Sequence, residues 1–110
     1  MVIEISNVEQ YEKEVTNSRD LVVIDFWAPW CGPCKSYSPI FHKVAEEGIE
    51  GVKFVSIDID QEELEEIVDE FGISGVPMTA TIRGGEVVDE KAGLMMKEQL
   101  VEFIKQSKEE

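Results

Sequence analysis

The run Leu21-Val-Val-Ile-Asp-Phe-Trp27 is apolar at every position but Asp25. Apolar residues that run on without alternation mark a strand buried on both faces, and such strands belong to sheets covered by helices on both sides. Val52–Ile57 reads as a second strand of this kind. Between the two, a helical pattern opens at the cysteines and runs to about Glu47, where Gly48 stops it. Strand, helix, strand in that order implies parallel pairing through a right-handed crossover. Pro39 lies inside the helix and lacks an N–H, so a kink is expected there.

The remaining segments extend the pattern. Val2–Ile5 is a short strand. Ser6-Asn7-Val8-Glu9 reads as a capping box, with the Ser6 hydroxyl accepting from the first turn and Glu9 reaching back; it opens a helix to about Thr16. Asp60 is placed to cap a helix over Gln61–Phe71, whose Leu64, Ile67, Val68 and Phe71 share one face, and Gly72 ends it. Met78–Ile82 and Glu86–Val88 flank Arg83-Gly84-Gly85, a hairpin signal. The last helix is expected over Met96–Gln106, with Leu100, Val101, Phe103 and Ile104 inward. Met95 and Met96 stand where a capping serine or aspartate would help. The order β-α-β-α-β-α-β-β-α defines an α/β class with a central mixed sheet, antiparallel at one edge and flanked by helices on both faces. One domain over residues 1–110 is expected, since a chain of this length and 43% hydrophobic content can bury its own core.

The formal net charge is −14. Such a charge repels nucleic-acid phosphates and anionic lipid surfaces. No apolar run approaches the roughly 20 residues that span a membrane. Met1–Ile5 has neither a basic region nor a long apolar stretch, so no export signal is expected and the cytoplasm is the expected compartment. The acidic excess gathers in Gln61–Glu70 and the C-terminal tail rather than beside the cysteines. That distribution favours a role in solubility and self-repulsion over steering toward a basic partner.

Both cysteines fall in Trp30-Cys31-Gly32-Pro33-Cys34-Lys35. Two thiols at this spacing can close into a small disulfide ring and reopen, moving electrons in pairs. The thiolate is the attacking species, so the site must lower one thiol's pKa. Cys31 lies where a strand gives way to a helix, near unpaired amides and the positive end of the dipole. It is expected to be the exposed nucleophile. Cys34, one turn further in, is expected to be more buried and to resolve the mixed disulfide. Gly32 permits the tight turn, and Pro33 in the first helical turn needs no amide partner. A carboxylate at Asp25, inside an apolar strand, is anomalous, and burial should raise its pKa into a range useful for proton transfer.

Metal chemistry fits poorly. Structural zinc wants four ligands, and the chain offers two cysteines and one histidine, His42, which reads as a helix-surface residue. Haem attachment needs histidine directly after Cys34, where Lys35 stands. No metal and no bound cofactor are expected; the redox element would be the Cys31–Cys34 pair.

The stretch Asp25-Phe-Trp-Ala-Pro-Trp-Cys-Gly-Pro-Cys-Lys35 resembles the active site of the thioredoxin family. Pro39 is similar to the kink proline of that family's second helix, Gly75-Val76-Pro77 to its cis-proline loop, and Gly85 and Gly93 to two further glycines. The resemblance covers essentially the whole chain. It implies the thioredoxin fold, a protein-disulfide reductase cycling between dithiol and disulfide, and Asp25 as proton acceptor for Cys34. It further implies a cis-proline at Pro77 packed on the disulfide, a substrate ledge at Val76 and Pro77, and an apolar rim of Trp30, Gly75 and Gly93. A thioredoxin reductase would supply electrons, disulfide-bearing proteins would be substrates, and the chain would be a monomer. An oxidase or isomerase, or a non-redox protein clamp, remains an alternative on the same fold.

Four residues depart from the family pattern. Ser56 stands where many members carry a lysine near the buried aspartate. Met78 follows the proline where threonine is common, and Met95-Met96 replaces a more polar segment. Lys35 is a possible substitute for the lysine missing at Ser56; for Lys53, strand alternation does not settle which face it takes.

Overall fold

The computed structural model describes every residue from Met1 to Glu110. The elements in chain order are β1 (Val2–Glu4), α1 (Val8–Tyr11, continued by a π turn over Glu12–Thr16), β2 (Leu21–Trp27), α2 (Gly32–Glu47) and β3 (Val52–Asp58). A 3₁₀ turn (Glu62–Leu64) then leads into α3 (Glu65–Phe71), followed by β4 (Met78–Arg83), β5 (Glu86–Ala92) and α4 (Lys97–Glu109). The five strands form one sheet in the order β1-β3-β2-β4-β5. β3 runs parallel to β1 and β2, whereas β4 is antiparallel to β2 and to β5.

Strand alternation sorts the side chains into two cores. Val22, Ile24 and Phe26 of β2 join Val55 and Ile57 of β3 against Tyr11, Val15, Leu64 and Ile67. On the opposite face Leu21, Val23 and Phe54 meet Tyr37, Phe41 and Val44 of α2 and Leu100 and Ile104 of α4. Each fully buried Phe, Leu or Ile contributes about 1.5–3 kcal/mol through removal from water. Because β2 is covered on both faces, its continuous apolar sequence is required rather than incidental.

Asp25 follows Val23 on the α2/α4 face, and Ser56 follows Phe54 there; the two are directly paired across the ladder. Lys53 takes the other face. Its Nζ donates to the Glu14 carbonyl at 3.0 Å and to Glu14 Oε1 at 3.1 Å. The sheet therefore separates Lys53 from Asp25.

Several local expectations are corrected. The first helix is capped by Asn7, not Ser6: Asn7 Oδ1 accepts from the Gln10 N–H, and Gln10 Oε1 accepts from the Ser6 N–H, both at 2.8 Å. The reciprocal arrangement survives one residue later because an amide at Gln10 serves as well as a carboxylate at Glu9. The helix expected over Gln61–Phe71 begins as a 3₁₀ turn and becomes α-helical only at Glu65, and Asp60 does not cap it. β5 runs to Ala92 rather than Val88. Its exposed edge position lets polar residues occupy a strand and hides the strand's length from hydrophobic patterning. α4 begins at Lys97 and gains a cap unforeseen from sequence, since Gln99 Oε1 accepts the Met96 N–H at 2.9 Å. The β4–β5 hairpin turns on Gly84 and Gly85 with φ of 60° and 83°, values that bulkier residues rarely adopt.

Candidate active site

Cys31 is the N-cap of α2, in extended conformation, and its Sγ accepts from the Cys34 N–H at 3.1 Å. The two cysteines form a disulfide with Cα atoms 5.3 Å apart. Pro33 occupies the first turn, where a missing N–H costs nothing. The expected difference in exposure between the two sulfur-bearing residues is absent: Cys31 is 4% exposed and Cys34 3%. Ala28, Trp27 and Val76 pack around the pair. Access comes from their neighbours, since Trp30, Gly32 and Pro33 are exposed.

The asymmetry lies instead in what each sulfur faces. Cys31 Sγ is 3.5 Å from the carbonyl oxygen of Val76. The Val76–Pro77 peptide bond is cis, and Pro77 is buried. Ladder register brings these distant segments together: Phe26 pairs with Met78, so the chain leaving β2 and the chain entering β4 meet at the same end of the sheet. Gly93 closes this corner by donating its N–H to the Pro77 carbonyl at 2.9 Å with φ of 89°, which explains the glycine.

Cys34 faces the other way, into a cleft of about 450 Å³ shared with Asp25, Lys35, Ser38, His42 and Ser56. Asp25 is 4% exposed, and its Oδ1 has no hydrogen-bond partner in the protein. Burial pushes its carboxyl up from 3.8 to about 7. No ion pair opposes that rise: the salt bridges join Lys53 to Glu14 and Lys97 to Glu47. Lys35 lines the cleft without pairing with Asp25, and Ser56 supplies a hydroxyl where a cation would have held the carboxylate ionised. His42 is exposed on the helix surface, as expected, and also borders this cleft.

Two side-chain pairs escaped the sequence reading. The Tyr37 hydroxyl and Thr79 Oγ1 are hydrogen-bonded at 2.8 Å within the core behind the site, and burial raises the Tyr37 phenol well above its usual value. Thr79 pairs with Asp25 across the β2–β4 ladder, so a hydroxyl pair lies directly beside the carboxylate strand. Two threonines, Thr79 and Thr81, alternating with apolar residues in β4 were the available signal. The second pair is Trp30 Nε1 donating to Asp60 Oδ2 at 2.8 Å. Asp60 is thus drawn to the active-site tryptophan instead of to a helix. Gly75 and Gly93 border a second cleft of about 510 Å³ with Val76, Pro77, Met78 and Glu90, and Trp30 is not among the residues lining it.

A two-cysteine disulfide at a helix N-terminus, with a buried carboxylate behind the inner cysteine, defines a thiol–disulfide oxidoreductase. Comparison with known proteins narrows the class. The family model described as Thioredoxin matches residues 2–106. Thioredoxin of Haemophilus influenzae is 37% identical over 100 residues, covering 91% of this chain and 92% of that protein. Thioredoxin of Bacillus subtilis is 37% identical over 87 residues, covering 79% and 82%. The crystal structure of Malassezia sympodialis thioredoxin superposes with a TM-score of 0.85 at 34% identity, covering 97% of this chain and 90% of that one. The chain belongs to the thioredoxin family. It has the thioredoxin fold, acts as a protein-disulfide reductase, and carries its redox function in the Cys31–Cys34 disulfide. No helix is long and apolar enough to cross a membrane.

Proposed function

We propose that Cys31 is the nucleophile, Cys34 the resolving cysteine and Asp25 the proton acceptor. In the dithiol form the Cys31 thiolate attacks one sulfur of a partner's disulfide, and the other partner sulfur leaves as a thiolate. Cys34 then loses its proton to Asp25 across the shared cleft and attacks Cys31 Sγ. The Cys31–partner bond breaks, the second partner sulfur leaves, and the Cys31–Cys34 disulfide forms. Two electrons pass to the partner, and Asp25 returns its proton to solvent. The single observation that carries this division of labour is that Cys34, not Cys31, shares a cleft with a buried carboxyl whose pKa sits near neutrality.

The active-site turn of Trp30, Gly32, Pro33 and Lys35 holds the two sulfurs in register. Gly75, Val76, Pro77 and Gly93 form the ledge on which an extended partner segment lies, and Trp30 borders it from the far side of the disulfide. Residues 1–110 work as one monomeric domain, re-reduced by a thioredoxin reductase and acting on disulfide-bearing proteins. The cytoplasm is the compartment in which a chain whose only cysteines are a catalytic pair would work. Substituting each cysteine tests the roles. Cys34→Ser accumulates mixed disulfides with partners through Cys31, while Cys31→Ser accumulates almost none. Equal trapping by both variants, or by neither, read on non-reducing gels, would remove the division of roles.

A further inference from the structure

α3 carries Glu65, Glu66, Asp69 and Glu70 and ends at Gly72, the start of the loop that reaches Pro77 and borders the disulfide. Asp60 is bonded to Trp30 on the other flank. Glu90 is the one charged side chain lining the cleft beside Pro77. Glu90 is exposed and forms no salt bridge. Its neighbour Lys91 alternates to the opposite face of β5, pairing with Thr79, whose hydroxyl meets α2. Lys35 borders the separate cleft behind Cys34.

We propose that Glu90 is a specificity-determining residue that selects partner segments carrying lysine or arginine close to the disulfide cysteine. The occupant is an extended segment of a disulfide-bearing protein, and the inference rests on the placement of that segment over Val76 and Pro77. Register supplies the reach. Met78 pairs with Ala92 and Ala80 with Glu90, so Glu90 stands two residues along the edge from the corner beside the disulfide. Two residues of extended chain span about 7 Å. A basic side chain about two positions from the partner's cysteine therefore meets the Glu90 carboxylate, while an acidic one meets a like charge. Such charges act on encounter and on residence of the mixed disulfide, and they weaken with salt.

The test uses the reduced full-length chain and three matched disulfide peptides, with Lys, Gln or Glu two residues from the cysteine. At low ionic strength the Lys peptide is reduced about threefold faster than the Gln peptide, and the Glu peptide about threefold slower. Salt at 0.5 M on the order of a 4 Å screening length compresses the spread. Glu90→Lys inverts the ranking. Glu46→Lys, the same charge change at the exposed far end of α2, preserves it. An unchanged ranking in Glu90→Lys, or an equal effect from Glu46→Lys, overturns the proposal and leaves bulk charge as the cause. Failure of all three peptides to react would strike the exchange site itself, a different result from equal rates for all three.

Discussion

Replacing Asp25 by asparagine should make the oxidised protein more stable at neutral and alkaline pH, although it removes the proposed proton acceptor. The carboxyl ionises at 3.8 in the unfolded reference and at about 7 in the folded chain, and burial alone causes the rise. A folded pKa raised above the unfolded one favours the protonated form in the folded state. Below about pH 4 both states are protonated and Asp25 carries no penalty. As pH climbs toward 7 the unfolded chain ionises freely while the folded chain resists, and stability falls across that window. Each pKa unit is worth about 1.4 kcal/mol, so the full penalty above pH 7 is about 4 kcal/mol; the cleft beside Asp25 opens to solvent, and screening there reduces it to about 2–4 kcal/mol. Asparagine has the shape of the protonated acid and does not ionise. Urea unfolding of the oxidised wild type and Asp25→Asn at several pH values measures the difference. The two should nearly coincide at pH 4, with the variant ahead by about 2–4 kcal/mol at pH 8. A gap of equal size at both pH values, or a less stable variant at pH 8, would refute the claim that an unopposed buried charge sits behind Cys34.

Three further outcomes are expected. Ser56→Lys places a cation beside Asp25 and lowers its pKa by about 1–2 units, so the midpoint of the pH–rate profile for disulfide reduction should move to lower pH. Tyr37→Phe and Thr79→Val each leave one buried hydroxyl without its partner and should cost about 1–2 kcal/mol in urea unfolding. The double variant should lose measurably less than the sum, because the second change removes the orphan. Lys53→Met breaks a partly exposed pair with Glu14 and should cost less than about 1 kcal/mol, with the pH–rate profile unmoved because the sheet lies between Lys53 and Asp25.

The sequence reading located what burial and periodicity determine. β2, α2 and β3 lie where continuous apolar runs and a helical pattern placed them, since both faces of these strands must be covered. Cys31, Cys34 and Asp25 are together because a strand end and a helix start are neighbours in sequence as well as in space. Features decided by long-range register were less legible. Nothing local tells that Asp60 serves Trp30, that Tyr37 finds Thr79, or that β5 continues through Asp89-Glu90-Lys91. The equal burial of the two cysteine residues could not be anticipated either, because Val76 comes 45 residues after Cys31 to cover it.

The pairing of Phe26 with Met78 has a consequence for which parts of this chain can change length. The disulfide arrives from the end of β2 and its cover from the start of β4, and the ladder between them sets the distance, with the Gly93–Pro77 bond bracing the corner. One residue inserted between Trp27 and Cys31, or between Val76 and Met78, shifts sulfur and carbonyl past each other. The turn at Gly84-Gly85 and the bend at Gly48–Gly51 lie outside that closed loop of constraints. Tags, insertions and new chain ends belong there, while the two segments that meet over Cys31 act as a single ruler with no spare marks.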